Sequence, residues 1–424
     1  MDQITAPWPL KRQIIFINKY FYPDQSATSQ ILTDLAFHLA DVGNRVCVIT
    51  SQQLYGDPKA DLEPIEQIKQ VEVHRVPTTR FGRERLVGRG ADYLSFYRSV
   101  SRVIARVAEP GDILVAKTDP PMLCISARHA AKRCRLRLVN WLQDLYPEIA
   151  VELGVPFTNG PIGALLYRMR DSALRAATAN VVVGNKMGDR IRARGAQADG
   201  VYCIPNWCDE LDIRPVPGPD NKLRRDWKLE DHFVLGYSGN LGRGHEFETI
   251  LAAASRLRDH GNIVFLLMGG GKKFDELAQR VAAQGLKSHF RFLPYQDRSL
   301  LRLSLGVPDV HWVSLNPSLE GTIVPSKFYG IAAAGRPIIA ITAPDGELAR
   351  LVQQYRIGAT IPPGDGDALA RCLLDLQSDP QKVRQMGQRA RQMLEMEFSR
   401  TQAFDRWRQV LCAIAQGNGA LGAP

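Results

Sequence analysis

The sequence predicts an α/β protein built from two doubly wound, Rossmann-like domains. Short, nearly all-apolar segments alternate with helical segments, which is the pattern of parallel sheets covered on both faces. The alternation stops at residues 201–230, a polar stretch rich in proline and charge, and then starts again. The length of 424 residues also exceeds that of one ordinary hydrophobic core.

The individual elements follow from hydrophobic periodicity. The predicted strands of the first half are residues 14–18, 45–50, 71–76, 113–117, 136–140 and 180–184, with helices that include 29–42 and 93–107. The predicted strands of the second half are residues 233–238, 263–268, 290–293, 310–313 and 337–341, with helices at 247–260, 274–284 and 327–334.

These elements predict four parts of the chain. Residues 1–208 form an N-terminal domain, 209–230 a linker, 231–395 a C-terminal domain, and 396–424 a helix that packs back toward the N-terminal domain. Ligands of doubly wound folds bind beyond the carboxyl ends of the strands. We therefore expect the two domains to face each other across a cleft that holds the binding site.

Composition limits the class of protein. Hydrophobic residues make up 45% of the chain and charged residues 23%, as in globular proteins. Because no membrane-spanning segment or signal peptide is evident, we expect a cytoplasmic protein. The seven cysteines form no C-x-x-C pair, which predicts reduced thiols rather than a zinc site or disulfides. A formal net charge of +10 favours anionic partners, although many surface arginines on a soluble protein would explain it better.

The first predicted strand leads into a long loop, residues 19–29, with the sequence KYFYPDQSATS, before a helix. The G-x-G-x-x-G pattern of dinucleotide-binding domains is absent. Loops of this length are often functional, and Tyr22, Gln25 and Ser26 are its candidate ligand contacts. A flexible connection without defined structure explains the same residues equally well.

A glycine-containing loop, residues 237–245, opens the second domain. Glycines allow backbone N–H groups to approach an anion, and the following helix adds its positive end. Gly239, Asn240 and Arg243 are therefore candidate phosphate ligands. One strand later, Gly269 and Gly270 lie in a similar turn without Walker A spacing. Together with Pro294 they are our candidate nucleotide contacts, and the alternative for the turn is a simple strand-to-helix connection.

The segment at residues 316–337 carries most of the remaining candidates. Glu320 is predicted at the mouth of the cleft, where Thr322, Ile323 and Val324 would present backbone N–H groups. Lys327 falls in the first turn of a helix, where a cation is unfavourable unless an anion neutralises it. This mismatch predicts a bound phosphate, whereas a lysine that points to water is the common alternative.

Together these residues resemble a retaining glycosyltransferase of the GT-B fold, in the large family numbered four. The resemblance spans nearly the whole chain and is greatest for bacterial exopolysaccharide transferases of the colanic acid and O-antigen type. It is carried by the opening YFYP loop, residues 41–50, Ile204-Pro-Asn206, Ser238-Gly-Asn240, Val324-Pro-Ser-Lys327 and Ala334-Gly-Arg-Pro337. It implies that Glu320 contacts the donor sugar. The family's second glutamate, a ribose ligand, falls on Phe328, and Ser26 with Ala27 replaces paired glycines of the opening loop.

The resemblance also implies the reaction. A hexosyl or N-acetylhexosaminyl group would pass with retention from a UDP- or GDP-sugar to a saccharide hydroxyl. The acceptor would be linked to polyprenyl diphosphate and would contact Tyr22, Gln25 and Ser26 of the opening loop. No metal or other cofactor is expected. The departing diphosphate needs cations and N–H donors, for which Arg243 and Lys327 are the candidates. Asp144, after a predicted strand, is a second catalytic candidate beside Glu320, with a turn or N-cap aspartate as the alternative.

A basic amphipathic segment suggests peripheral attachment to the inner face of the cell membrane. Four arginines precede the helix, namely Arg80, Arg83, Arg85 and Arg89. The apolar face comprises Tyr93, Phe96, Tyr97, Val100, Ile104 and Val107. A core-facing helix with a solvated side is the simpler alternative. Rival functions are a sugar-nucleotide epimerase, a nicotinamide oxidoreductase and nucleic-acid binding; no recognition module supports the last, so we expect no nucleic-acid partner.

Overall fold

The structure, a computed structural model, describes residues 8–82, 86–156 and 158–417. The chain divides into two compact units. Unit 1 contains the chain up to Pro205 and again from Phe404, and unit 2 contains Asn206–Ala403. The predicted linker, residues 209–230, therefore belongs to unit 2, where it includes a short helix.

Unit 1 is built on an eight-stranded sheet. Its strands are β1 (Ile14–Ile17), β2 (Val46–Ser51), β3 (Ile65–Ile68), β4 (Val71–Val76), β5 (Ile113–Ala116), β6 (Arg137–Leu142), β7 (Ala179–Val182) and β8 (Val201–Cys203). The spatial order is β3-β4-β2-β1-β5-β6-β7-β8, and only the β3–β4 pair is antiparallel. Chain order reverses between β1 and β5, so the carboxyl ends of these two strands flank the switch point where doubly wound domains bind ligands.

Helices cover this sheet. They are α1 (Ala27–Asp41), α2 (Leu86–Val107), α3 (Leu123–Cys134), α4 (Glu148–Glu152), α5 (Gly160–Ala176) and α6 (Asn185–Ala193). The predicted apolar face of α2 lies inside the protein, where Phe96, Val100 and Ile104 are buried in the same cluster as Ile15 and Ile17 of β1. This face is therefore part of the hydrophobic core, and the prediction that it rests on a membrane is wrong. Arg83 and Arg85 lie outside the described residues.

Unit 2 contains a six-stranded, fully parallel sheet. Its strands are β9 (Phe233–Asn240), β10 (Ile263–Gly270), β11 (Phe290–Leu293), β12 (Val310–Ser314), β13 (Ile338–Ile341) and β14 (Gly358–Ile361). They are ordered β11-β10-β9-β12-β13-β14, the strand order of a dinucleotide-binding domain. The switch point lies between β9 and β12. Consequently, the loops after these strands are where a ligand of unit 2 is expected.

The remaining helices begin with the short one inside the predicted linker. They are α7 (Lys222–Asp226), α8 (Glu248–Arg256), α9 (Lys272–Ala283), α10 (Leu301–Leu305), α11 (Lys327–Ala333), α12 (Glu347–Tyr355), α13 (Gly366–Ser378), α14 (Pro380–Met393) and α15 (Arg400–Gln416). From Phe404 onward, α15 packs on unit 1, where Trp407 contacts Trp141 with ring centroids 4.6 Å apart. Among the described helices, none combines the length and apolar composition needed to cross a bilayer.

The strands that the sequence did not predict are short. Strand β3 has the sequence IEQI and is largely exposed at the edge of its sheet, so it lacks the apolar run of a buried strand. Strands β8 and β14 are also edge strands, of three and four residues. Their pairing depends on the neighbouring strand rather than on a pattern of their own.

Candidate functional site

The carboxyl end of β9 in unit 2 carries the first group of candidate residues. Gly239 and Asn240 end this strand and pair in register with Gly269 and Gly270 of β10. The two glycine turns predicted separately from the sequence therefore lie side by side. The second turn leads directly into α9, which begins at Lys272, whereas the helix after the first turn, α8, begins only at Glu248.

Glycine is required where the two turns meet. Gly269 has φ +145°, and a Cβ atom there would lie 2.1 Å from the Gly239 carbonyl oxygen. Gly271 has φ +114°, and its Cβ would lie 2.2 Å from Asn240 Oδ1. Any side chain would push the two loops apart. The close backbone approach at this edge of the sheet is therefore encoded by these glycines.

Lys327, the first residue of α11, reaches across to this edge. Its Nζ donates to the Tyr237 hydroxyl, to the Asn240 carbonyl at 3.3 Å and to His245 Nε2 at 3.2 Å. It also lies 4.2 Å from the centroid of the Tyr237 ring. The alternative in which Lys327 simply points to water is therefore wrong. Helix α11 instead directs the ammonium group at the switch point.

His245 accepts this hydrogen bond as a neutral imidazole. Its Nδ1 lies 2.8 Å from the Ser314 carbonyl oxygen, so Nδ1 carries the proton and Nε2 presents a lone pair. Burial and, as a smaller effect, the neighbouring Lys327 lower the pKa of His245 to about 3. Near neutral pH, His245 therefore positions Lys327 without adding charge.

The ammonium group of Lys327 is held by partners that are all neutral. Burial lowers its pKa to about 7, because the charged form loses hydration without gaining a carboxylate in exchange. An anionic ligand would stabilise the protonated form of Lys327 and so keep this ammonium group charged. Arg243 adds a second, exposed cation in the loop that follows β9.

The segment after β12 differs in part from the sequence prediction. The backbone N–H of Thr322 donates to Leu319 O at 3.0 Å, and its hydroxyl donates to the same oxygen at 2.6 Å. Thr322 is fully buried within this turn. Its amide is therefore not a phosphate ligand, and that prediction is wrong. Ile323 is partly exposed, and Val324 is buried.

Glu320 lies in the same turn and is 8% exposed. Its Oε1 accepts a 2.7 Å hydrogen bond from the backbone N–H of Glu347, the first residue of α12. A carboxylate at this point stabilises the positive end of the helix. Gly346, just before α12, leaves room for it, because a Cβ there would lie 2.6 Å from Glu320 Oε2. The geometry thus fixes the Glu320 carboxylate through a helix N-terminus.

Beside the second glycine turn lies an aromatic side chain. Tyr295 is 61% exposed, and its ring lies so close to Gly270 that a Cβ there would be 3.2 Å from it. Pro294, the predicted nucleotide contact, is exposed immediately before it. An exposed ring over a glycine offers a flat apolar face of the kind on which nucleobases stack.

Unit 1 has its own polar group at the switch point. Lys117 directly follows β5 and Asp144 follows the neighbouring β6, so parallel pairing brings the two side chains to one edge. The Lys117 ammonium is buried 3.8 Å from the centroid of the Trp141 ring and donates to Thr28 O at 3.1 Å. Burial lowers its pKa to about 7, although Asp144 and Asp119 oppose this shift.

The Asp144 carboxyl has a perturbed pKa as well. Burial and, as a smaller effect, Asp119 raise this pKa to about 6, and Lys117 opposes the increase. A carboxyl group and an amine that both titrate near neutral pH are typical of functional sites. The predicted catalytic residue Asp144 therefore belongs to a cluster with Lys117 and Asp119.

The predicted acceptor loop is well ordered around a buried aspartate. Asp24 accepts from the backbone N–H of Ser26 at 2.8 Å, and Ser29 Oγ donates to Asp24 O at 3.0 Å. Ser26 is the N-cap residue of α1, while Tyr22 and Gln25 are exposed. The loop therefore presents these two side chains from a fixed backbone, and the alternative of a connection without defined structure is wrong.

Two family models match the chain, one on each unit. Residues 27–207 match the glycosyl transferase 4-like domain, and residues 219–393 match glycosyl transferases group 1. The chain belongs to the GT-B glycosyltransferases. It is 27% identical over 306 residues to the probable glycosyltransferase WbjE of Pseudomonas aeruginosa, covering 70% of this chain and 76% of that protein. It is also 27% identical over 260 residues to the putative colanic acid biosynthesis glycosyl transferase WcaI of Escherichia coli K12, covering 59% of this chain and 62% of that protein.

Solved structures share the fold of this glycosyltransferase. Anabaena HepE in complex with UDP-glucose superimposes with a TM-score of 0.71 at 17% identity, covering 95% of this chain and 99% of that one. Sucrose-phosphate synthase from Thermosynechococcus elongatus superimposes with a TM-score of 0.75 at 17% identity, covering 96% of this chain and 100% of that one. At these identities the likeness establishes the fold alone.

The sequence did not predict several residues of the candidate site. His245 and Tyr237 lie in the predicted phosphate loop, yet their contacts with Lys327 depend on a segment more than 80 residues away. Lys117 ends a buried strand, and a charge at that position in an apolar run is a signal that could have identified it. Phe328 is fully buried, which agrees with the loss of a ribose-binding carboxylate at this position.

Proposed function

We propose that this glycosyltransferase moves a hexosyl or N-acetylhexosaminyl group, with retention, from a UDP- or GDP-sugar to a saccharide hydroxyl. The acceptor in this proposal is linked to polyprenyl diphosphate, and the product enters a bacterial polysaccharide. The single observation that carries the proposal is the Lys327 ammonium, held among neutral partners at the carboxyl end of β9. The names of the two bacterial relatives support the polysaccharide context.

The donor diphosphate is proposed to bind beside Lys327. Negative charge develops on the departing diphosphate as the anomeric C–O bond breaks. Lys327 and Arg243 would neutralise this charge, and the Gly239–Asn240 turn would bring the backbone close. A fixed donor of this kind is typically worth about 3 kcal/mol of the barrier. Because the leaving group is stabilised by side-chain cations, the proposed reaction does not require a metal. Among the described residues, no group of three or more His, Cys, Asp or Glu side chains could hold one.

The nucleoside is proposed to lie over the second glycine turn. Tyr295, exposed beside Gly270, would stack on the base, and the backbone near Pro294 would face its edge. The solved HepE structure contains UDP-glucose, which makes a uridine nucleotide the first donor to test. Glu320 would contact the sugar while its other oxygen stays on α12.

The acceptor is proposed to bind to unit 1 beside Asp144. Its carboxyl group, with Lys117 and Asp119 around it, can orient a sugar hydroxyl and exchange a proton near neutral pH. The exposed Tyr22 and Gln25 would line the path of the acceptor saccharide. The enzyme would work in the cytoplasm, on the inner face of the cell membrane.

A ligand panel tests the donor proposal. Thermal unfolding would be followed with UDP, GDP, ADP and their sugars, since a ligand that binds only the folded protein raises its Tm. We expect UDP- or GDP-sugars to raise the Tm, and Lys327→Met to abolish the increase. The matched control is Lys287→Met, which removes an exposed lysine from the same unit. Unchanged shifts in the Lys327 variant would refute the phosphate assignment, and product analysis separates transfer from epimerisation.

A further inference from the structure

Helix α5 of unit 1 carries an apolar stripe on its outer face. Ile162, Leu165 and Met169 are 53%, 56% and 41% exposed. Their spacing of three and four residues places them on one side of the helix. The buried residues Gly163, Asp171 and Leu174 lie on other sides of the helix. Single exposed apolar residues are common, but a continuous stripe on one helix face marks an interaction surface.

Arginines border this stripe. Arg168 and Arg175 are exposed on the same helix and line a pocket with Tyr167, Asp171 and Arg194. The Arg194 guanidinium lies 4.6 Å from the centroid of the Tyr167 ring. Asp171, an acid in this pocket, is already bound to Arg170 at 2.7 Å and lies 3.9 Å from Arg194. The pocket lining is thus positively charged.

We propose that this surface, defined by Ile162, Leu165, Met169, Arg168, Arg175 and Arg194, docks on an anionic lipid bilayer. Apolar side chains would enter the interface between head groups and acyl chains, and the arginines would contact lipid phosphates. A short apolar stripe with a basic border fits a membrane surface better than a soluble partner. At a bilayer the apolar side chains reach the acyl chains, while the arginines stay at the depth of the phosphates. The link between this docking and catalysis rests on the proposed function.

The proposed α5 surface is tied rigidly to the loop that carries Asp144. The buried Arg170 of α5 donates to Tyr146 O at 3.0 Å and to both Glu148 oxygens, at 3.0 and 2.6 Å. These bonds fix α5 to the residues that follow Asp144. Docking through α5 would therefore hold this part of unit 1 at a constant height above the lipid head groups, where a lipid-linked acceptor arrives.

Helix α2, the segment favoured by the sequence, is the natural comparison. Its predicted apolar face is in the core, and its exposed apolar residues Val87 and Leu94 are two full turns apart. Arg98, Arg102 and Arg106 are exposed on this helix. A double substitution of Val87 and Leu94 therefore provides a control with a similar loss of exposed apolar surface on another basic helix.

The test is flotation of the full-length chain with vesicles. The vesicles contain phosphatidylcholine and phosphatidylglycerol in equal parts, with phosphatidylcholine alone as a second set. We expect the wild type to float with the anionic set. The Ile162→Ser/Leu165→Ser/Met169→Ser variant should lose about tenfold or more in partitioning, because three apolar side chains no longer enter the interface. The Arg168→Gln/Arg175→Gln variant should lose about tenfold by removing two cations. The Val87→Ser/Leu94→Ser control should float like the wild type.

Three results would overturn the docking proposal. Failure of the wild type to float, wild-type flotation of the triple variant, or equal loss in the α2 control would each do so. A wild-type dimer that the triple variant converts to a monomer, with flotation unchanged, would assign the stripe to self-association instead. Donor-induced Tm shifts of the triple variant should stay at the wild-type value. If flotation fails while these shifts persist, the docking proposal falls and the proposed function stands.

Discussion

The side chains of His245 and Lys327 meet at 3.2 Å, with the imidazole accepting from the ammonium group. The other ring nitrogen of His245, Nδ1, donates to the Ser314 carbonyl. This hydrogen bond selects the tautomer in which Nε2 accepts. A strand, a loop and a helix N-terminus thus cooperate to hold one cation at the switch point of unit 2. Four of the five predictions that follow concern this unit.

Replacement of His245 should weaken donor use by releasing Lys327. In His245→Leu the ammonium loses an acceptor, and we expect kcat/KM for the donor to fall by about 10- to 100-fold, or about 1.4–3 kcal/mol. His245→Gln retains an acceptor oxygen near the position of Nε2 and should keep more of the activity. Steady-state kinetics of both variants check this. Equal losses in the two would contradict a role as hydrogen-bond acceptor.

Lys327 should leave a signature in the pH dependence of stability. Its pKa is about 7 in the folded protein, against an ordinary 10.5. Between these values the unfolded chain binds more protons, so this lysine makes the free energy of unfolding rise with pH. The stability of Lys327→Met minus that of the wild type should therefore fall from pH 7 to 10, by up to about 1.4 kcal/mol per pH unit. Urea denaturation of both proteins at several pH values measures this difference. Lys117 is present in both, so its own titration cancels. A difference that stays constant with pH would contradict the lowered pKa of Lys327.

Two substitutions of Glu320 separate its structural and catalytic roles. Glu320→Gln keeps an oxygen that accepts from the Glu347 backbone N–H, whereas Glu320→Ala leaves the start of α12 without it. We expect Glu320→Gln to fold with a near-normal Tm but to lose most of its turnover. Glu320→Ala should also lose about 1 kcal/mol of stability. Near-wild-type turnover of the glutamine variant would leave Glu320 as a helix cap without a role in transfer.

Gly269 should tolerate no side chain. Its positive φ and the 2.1 Å approach of Gly239 O to an added Cβ predict that Gly269→Ala costs about 2–4 kcal/mol and displaces the phosphate loop. Gly261→Ala is the matched control, because nothing lies within 4 Å of a Cβ at that position. Thermal unfolding and the UDP-induced Tm shift report the two effects. A variant at Gly269 that behaves like the control would show that the turns do not need this close approach.

The Asp144 carboxyl should set the acid limb of the pH–rate profile. Its pKa of about 6 predicts that kcat falls as the pH drops below 6, if the ionised form orients the acceptor. Asp144→Asn should lose turnover and this limb together. Lys117→Met removes a neighbour that lowers the pKa of Asp144, so the limb should move to higher pH. A limb that does not move would place the titrating group elsewhere.

Much of the fold could be predicted because it depends on local patterns. Strand β10, with the sequence IVFLLMGG, is buried along nearly its whole length, and helix α1 repeats apolar residues on one face. Edge strands such as β3 were not predicted, because a half-exposed segment lacks the apolar run of a buried strand. Helix α2 was predicted, but its environment was not, since a core-facing and a membrane-facing stripe have the same periodicity.

The sequence by itself determined two alternating α/β units, the glycine turns, and the candidate residues Glu320, Lys327 and Asp144. Each of these depends on a local pattern of neighbouring residues. Only the tertiary structure decided what those residues contact. Lys327 meets Tyr237 and His245 across more than 80 residues of chain, and Lys117 joins Asp144 because adjacent parallel strands end at one edge. Burial then shifts the pKa values of the charged groups, and burial is a property of the packed protein rather than of any sequence window.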